Sequence, residues 1–342
     1  MESQQPLLLV TGGSGFVGGQ VVKQALERGY HVRVTARTEE SARKIISNWP
    51  KYSSQLSSAI IPDLTRIESY ENALEGVTGV LHLASPFIFN PTDNIKDLLD
   101  PAIKGSTAIL EATKRWGPLV TRIVATSSFA AVIDDTKGKR EGYTYTEEDW
   151  NPATYEKAVV STDGPYVYRA SKALAEKAMF EWVKENKPLF TITTICPPWI
   201  YGPYAHQLTH TERLSESVHL FSTLVDAKDV LPFDFGGYAD SREVAAAHLL
   251  ALKIPEAANR RFIVGQGFRY QTALDLARDS IPELRDRLPV GTPGYIEPGY
   301  SIDGSKAAEV LGLQYMSLQE TVKDMLSQLL RSCHTKAVAE MR

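Results

Sequence analysis

A short apolar run, Leu7-Leu8-Leu9-Val10, leads directly into Thr11-Gly12-Gly13-Ser14-Gly15-Phe16-Val17-Gly18. The run has the length of a buried strand. The segment that follows, Val17 to Leu26, has the apolar spacing of an amphipathic helix. Between them, glycines recur at every third position. Gly12 permits a tight turn, Gly15 leaves room for phosphate oxygens, and Gly18 lets the helix pack closely on the sheet. Backbone N–H groups at such a helix start favour negative charge. The junction therefore predicts that Gly12, Gly13, Ser14, Gly15, Phe16, Val17 and Gly18 hold the pyrophosphate of a dinucleotide, on an α/β fold.

The pattern continues as that fold requires. A second strand is predicted over His31 to Ala36, a helix over Glu39 to Asn48, and a third strand over Ala59-Ile60-Ile61, ending at Pro62-Asp63. A short helix covers Tyr70 to Leu74, and a fourth strand Gly79 to Leu83. A long helix spans Asn94 to Arg115, and a fifth strand runs Arg122 to Ser127. Strands alternating with helices imply a parallel sheet with right-handed crossovers. Asp134 to Pro165 is polar and turn-rich, an excursion from the alternation. Helix Tyr166 to Asn186 and strand Phe190 to Cys196 resume it. After Pro197-Pro198, glycine, proline and aromatic residues cluster. The reading is a doubly wound, Rossmann-type sheet over residues 1–196, to which 238–255 return through a helix at Arg242 to Leu252. A smaller substrate-binding lobe takes most of 197–342, with the last stretch, Ser332 to Arg342, prone to fray.

Composition narrows the function. The chain has 342 residues, a net charge of −4 and no basic block, which argues against nucleic acid as a partner. It has two cysteines, Cys196 and Cys333, too few for a disulfide framework and in keeping with a reducing cytoplasm. No apolar segment is long enough to span a bilayer, and no signal peptide is expected. His206 and His210, with Glu212 nearby, read as loop residues rather than metal ligands, and Cys196 as an inert core thiol.

The residue closing the second strand reads the adenosine ribose. Here it is Arg37, with Arg33, Arg43 and Lys44 adding positive charge nearby. A guanidinium suits the 2′-phosphate of NADP rather than the 2′-hydroxyl of NAD. Asp63 and Leu64 stand where the third strand ends and adenine would lie.

Tyr168-Arg169-Ala170-Ser171-Lys172 places a phenol and an ammonium one helical turn apart on one face. An unperturbed tyrosine has a pKa of about 10, and a neighbouring cation is expected to lower it. Tyr168 would then donate a proton to a carbonyl oxygen, and Lys172 would also bond the nicotinamide ribose. Ser128, at the end of the fifth strand, is placed to bond the substrate oxygen. Phe87, Phe129 and Trp199 come from three separate loops and, with Tyr204 close by in sequence, are expected to wall the substrate site.

These motifs together resemble the extended short-chain dehydrogenases/reductases. His82-Leu83-Ala84-Ser85-Pro86-Phe87, Trp150-Asn151-Pro152-Ala153-Thr154, Phe235-Gly236-Gly237-Tyr238, Asp240-x-Arg242 and Pro289-Val290-Gly291 narrow the resemblance. It is to the fungal NADPH-dependent methylglyoxal/isovaleraldehyde reductase group, with plant dihydroflavonol and cinnamoyl-CoA reductases as relatives, over roughly Leu7 to Leu330. The resemblance implies NADP(H) and hydride transfer to a small aldehyde or ketone. It also implies cofactor contacts at Arg37, Asp63, Leu64, Ala84, Tyr168, Lys172, Pro197, Ile200 and Ser217. Two positions depart from the family. Lys104 stands where many members carry an asparagine of a proton relay, and Ser41 replaces a cofactor-side lysine. The expectation is a cytoplasmic carbonyl reductase, monomeric or homodimeric, acting on a small-molecule carbonyl substrate. The alternatives are a nucleotide-sugar epimerase or dehydratase of the same fold and a non-catalytic NADP-sensing module.

Overall fold

The computed structural model describes residues 6–86, 88, 91–209 and 213–332. Its strands, in chain order, are β1 (Leu7–Thr11), β2 (His31–Ala36), β3 (Leu56–Ile60), β4 (Val77–His82), β5 (Arg122–Thr126), β6 (Thr144–Tyr145), β7 (Thr191–Cys196), β8 (Trp199–Tyr201), β9 (Gly237–Asp240), β10 (Arg260–Ile263), β11 (Gln266–Gly267) and β12 (Ser301–Ile302). The helices are α1 (Phe16–Glu27), α2 (Glu39–Ser47), α3 (Asp100–Trp116), α4 (Tyr155–Val160), α5 (Gly164–Asn186), α6 (Glu216–Ser222), α7 (Ser241–Lys253), α8 (Tyr270–Ser280), α9 (Ser305–Leu311) and α10 (Leu318–Arg331). Among the described residues no helix is long and apolar enough to cross a membrane.

Seven strands form one sheet in the order β10-β7-β5-β4-β1-β2-β3. Every neighbouring pair in it is parallel. The order reverses between β1 and β4, and a crevice opens there at the carboxyl ends of the strands. The register sets Thr11 beside His82, and Thr126 beside Ile195, along that edge. Both faces of the sheet are apolar, as helices on both sides require. Val10, Leu81, Val124 and Ile195 point into one cluster with α1 and α7. Leu9, Val80, Ile123 and Ile192 point into the other, with residues of α3 and α5. A third cluster, built from α6, α8 and α10, forms the lobe beside the crevice.

The structure departs from the sequence reading at several points. β3 begins three residues earlier than Ala59. The helix predicted from Asn94 opens as a π-helical stretch, Asn94–Leu99, before α3. Pro101 follows in the first turn of α3, where it has no N–H to give the preceding turn. Finally, β10 lies inside the stretch assigned to the lobe, yet it pairs with β7 and closes the main sheet. α9 likewise packs against the same core as α7, through Ala307 and Leu311.

Candidate active site

The site begins at the turn after β1. Gly12 has φ +71, and a Cβ there would lie 2.9 Å from the Ala84 nitrogen. Gly15 N donates to Gly12 O at 3.0 Å. A Cβ on Gly18 would fall 2.0 Å from Gly12 O, so only glycine lets α1 sit against its own turn. A Cβ on Gly15 would meet Gly12 O alone, at 3.3 Å, which leaves space beside the helix start. The first turn of α1 carries no acidic residue. This is a cradle for an anionic group.

The Thr11 hydroxyl binds the ends of β1 and β4 together. It accepts the Leu83 and Ala84 N–H groups, both at 3.1 Å, and donates to His82 Nδ1 at 3.0 Å. His82 is buried. Burial, with the Lys172 cation beside it, lowers its pKa to about 4, so the imidazole stays neutral.

From the cradle a cleft of about 680 Å³ runs over the ends of β5 and β7. Gly12, Gly15, Phe16, Val17 and Gly18 line one end. Pro197, Ile200 and Ser217 line its flank, with the Ser217 hydroxyl donating to Ile200 O. Ser128, Tyr168 and Lys172 line its floor, and Trp199 and Phe235 stand above them.

Ser128 caps the turn Phe129–Ala131, and its hydroxyl accepts the Ala130 N–H at 3.1 Å. The same hydroxyl is hydrogen-bonded to the Tyr168 phenol. Burial raises the phenol above its ordinary pKa, and the Ser128 bond pulls it only partly back. This reverses the expectation that Lys172 lowers it. The Lys172 ammonium lies 5.4 Å from the Tyr168 ring centroid and donates to Ser85 Oγ at 2.7 Å and Pro86 O at 3.4 Å. Burial lowers its pKa to about 8. A second cavity of about 40 Å³ lies behind Lys172, lined by Leu64, Ala84, His82 and Thr126 among others. Lys104 does not reach into it. Its ammonium pairs with Asp100 Oδ2 at 2.8 Å, and its side chain is 64% exposed.

Arg37, expected at the cofactor's 2′-phosphate, is exposed at the close of β2. Ser41 is engaged with Thr38 in the cap of α2. The Arg33 guanidinium is held at the segment before β4, its Nη1 donating to the carbonyls of Ala73 and Glu75, both at 2.8 Å. Asp63 Oδ1 accepts the Thr65 N–H at 2.8 Å and its hydroxyl at 2.7 Å, which lowers the carboxyl's pKa. Ser14 is exposed in the glycine turn and Gly13 is buried beneath it.

Two residues expected in the substrate wall lie elsewhere. Phe129 is fully buried, edge-on to Phe235 at 5.3 Å and to Tyr145 at 5.6 Å. The turn that aims the Ser128 hydroxyl at the cleft sends the next side chain into the core. Tyr204 is 8% exposed and packs 4.5 Å from Phe16, its hydroxyl accepting the Ser215 N–H at 2.6 Å. Phe87 is outside the described residues, as are His210, Glu212 and Cys333. Among the described residues, the expected Trp199 and, beside it, Phe235 line the cleft near Ser128 and Tyr168, with their rings 5.5 Å apart. Trp199 Nε1 points at both oxygens of Asp234, each 3.2 Å away, and Tyr270 OH donates to Oδ2 at 2.9 Å. Burial raises the Asp234 carboxyl pKa against those bonds. The sequence offers Phe235 only as part of a motif, with no signal assigning it to the wall. Its apolar–glycine–glycine setting resembles any strand entry.

Residues 9–272 match the 3-beta hydroxysteroid dehydrogenase/isomerase family. An uncharacterised oxidoreductase of Schizosaccharomyces pombe is 38% identical over 94% of this chain and 96% of its own. An NADPH-dependent methylglyoxal reductase of Saccharomyces cerevisiae is 35% identical over 95% of this chain and 98% of its own. The crystal structure of a yeast methylglyoxal/isovaleraldehyde reductase complexed with NADPH superimposes with a TM-score of 0.90 at 34% identity, covering 96% of this chain and 99% of that one.

Proposed function

This chain belongs to the 3-beta hydroxysteroid dehydrogenase/isomerase family, and from that premise we propose that it is an NADPH-dependent reductase of small aldehydes and ketones. One observation carries the reading: a single cleft joins the glycine cradle to the Ser128–Tyr168–Lys172 cluster. The cradle fits a dinucleotide. Gly12 and Gly18 admit no side chain, space remains beside Gly15, and α1 opens towards it without an acidic residue. Gly12 to Gly18 would hold the pyrophosphate, Arg37 the 2′-phosphate, Asp63 the adenine end, and Lys172, Ile200 and Ser217 the nicotinamide end. When bound, the cofactor supplies hydride to the carbonyl carbon.

The protein's own groups do the rest. Ser128 and Tyr168 bond the carbonyl oxygen and fix its direction. Tyr168, kept protonated by burial, donates its proton to that oxygen as charge develops there. A phenol held in this state across neutral pH is suited to the reducing direction. Lys172 faces the resulting phenolate with its positive charge. Trp199 and Phe235 favour an apolar substituent, and Asp234 is occupied by Trp199, Tyr270 and the Phe235 N–H. The substrate class is therefore small and mostly apolar. Given the relative that reduces methylglyoxal, 2-oxo-aldehydes belong in it.

The test is NADPH oxidation by the purified protein over a panel of saturated aldehydes, 2-oxo-aldehydes and ketoesters. Turnover with at least one class, and much weaker turnover with NADH, is expected. No turnover across the panel would overturn the reading.

A further inference from the structure

Below the cleft floor lies an ion pair that proton transfer does not use. Glu176 is 2% exposed and Arg261 7%. Arg261 Nε donates to Glu176 Oε1 at 2.9 Å and Nη2 to Oε2 at 3.1 Å. Burying two charges is costly unless their remaining protons and lone pairs are satisfied. Here they are. Thr194 Oγ1 donates to Glu176 Oε1 at 2.5 Å, and Ser127 Oγ to Oε2 at 2.7 Å. Arg261 Nη1 donates to the carbonyls of Glu147 at 2.9 Å and Asp149 at 2.8 Å, and Nη2 to that of Ala131 at 3.3 Å. The guanidinium also lies 3.5 Å from the ring centroid of Trp150.

The placement of this pair matters more than its energy. Tyr168, Lys172 and Glu176 recur every four residues along α5, so Glu176 is the third member of the stripe that carries the proton donor. Its other partners hold the turn that follows Ser128. Ser127 bonds Glu176 directly. Ala131 O is shared by Arg261 and the Asn151 N–H, the latter at 3.0 Å. Ala130 O accepts Asn151 Nδ2 at 2.9 Å. Asn151 is itself fixed, since Lys177 Nζ donates to its carbonyl at 2.9 Å and its Oδ1 accepts the Ala153 N–H at 2.8 Å. The Ser128 hydroxyl takes its direction from the Ala130 N–H. Holding Ala130 and Ala131 therefore aims Ser128.

We propose that Glu176, Arg261 and Asn151 are positioning residues, a buried clamp that sets the Ser128 hydroxyl against the Tyr168 phenol. The proposal rests on the roles given above to Ser128 and Tyr168. It assigns a purpose to the Trp150-Asn151-Pro152 motif, which stands outside the cleft. It also gives a reason for a charged pair where apolar residues would pack as stably: a two-pronged pair with fixed geometry spans α5, β10 and the serine turn at once.

The test uses the full-length protein and two readouts. Asn151→Ala removes the grip on Ala130 without unpairing a buried charge. Backbone amides of residues 128–133 should then exchange with deuterium faster, in the absence of substrate. The value of kcat should fall about 10- to 100-fold, as misplacement of a reacting group by an ångström does, while the Kd for NADPH stays unchanged. In a Ser128→Ala background, adding Asn151→Ala should lower kcat by no more than about twofold, because both changes act through one hydroxyl. If Asn151→Ala does not fold, Ser127→Ala, which removes one hydroxyl from the clamp, carries the same cycle. Unchanged exchange at 128–133 overturns the clamp whatever the chemistry proves to be. Losses that multiply in the double variant overturn its action through Ser128. Full activity of Ser128→Ala alone would instead fault the role assigned to Ser128 in the reaction.

Discussion

Replacing Lys172 with methionine should make the cofactor-free protein more stable and nearly inactive. Lys172 is 8% exposed, and its described hydrogen-bond partners, Ser85 Oγ and Pro86 O, are uncharged. Burial lowers its pKa from 10.5 to about 8. A tenfold change in proton affinity is worth about 1.4 kcal/mol, so holding the ammonium in the folded state costs about 3 kcal/mol at pH 7. The sign follows from the depressed folded value. The penalty is complete below about pH 8 and fades as pH rises towards 10.5, where the unfolded lysine also loses its proton. Methionine keeps most of the stem's packing without the charge. Denaturant unfolding of the cofactor-free proteins should show a gain of up to about 3 kcal/mol at pH 7, shrinking to about 1 kcal/mol near pH 9.5. NADPH affinity and kcat should both fall, a trade of function for stability. A variant less stable than wild type at pH 7, or a gain that grows with pH, would refute the reasoning.

Gly18→Ala and Gly15→Ala should separate folding from binding. A Cβ on Gly18 would sit 2.0 Å from Gly12 O, so that variant should lose about 1–3 kcal/mol of stability. Gly15→Ala, with a 3.3 Å contact, should melt close to wild type while losing NADPH affinity in titration. Arg37→Asp should move the ratio of NADPH to NADH kcat/KM by about tenfold or more, the worth of one charge-assisted bond; an unmoved ratio places the 2′-phosphate elsewhere. Trp199→Ala should shift the kcat/KM ratio of a bulky aryl ketone to a small aldehyde by about tenfold towards the ketone, with NADPH affinity unchanged.

The glycine turn, the parallel alternation, and the Tyr168 and Lys172 pair are legible in the sequence because each is a short-range signal. Spacing along one strand or one helix decides them. The substrate wall is harder. Phe129 and Phe235 are both aromatic residues near glycine-rich or serine-rich turns, and which of them faces the cleft depends on how the Ser128 turn seats just past the end of β7, where Phe129 N donates to Pro197 O at 2.9 Å. β10 is hidden because Arg-Arg-Phe-Ile is short and begins with two charges. The second of them, Arg261, is buried only because Glu176 waits beneath it from another part of the chain. The Tyr168 pKa runs against the sequence expectation for the same reason: sequence shows the nearby lysine but not the burial that raises the phenol's pKa.

The central claim is that Tyr168 delivers the proton in an NADPH-dependent carbonyl reduction. Tyr168→Phe keeps the ring and removes only the hydroxyl. The most direct measurement is kcat of this variant with NADPH and a substrate of the wild-type protein, taken beside its NADPH Kd in the same preparation. The Kd should stay within about twofold of wild type while kcat falls by about 10²- to 10⁴-fold. A kcat within a few-fold of wild type, with NADPH still bound, would contradict it.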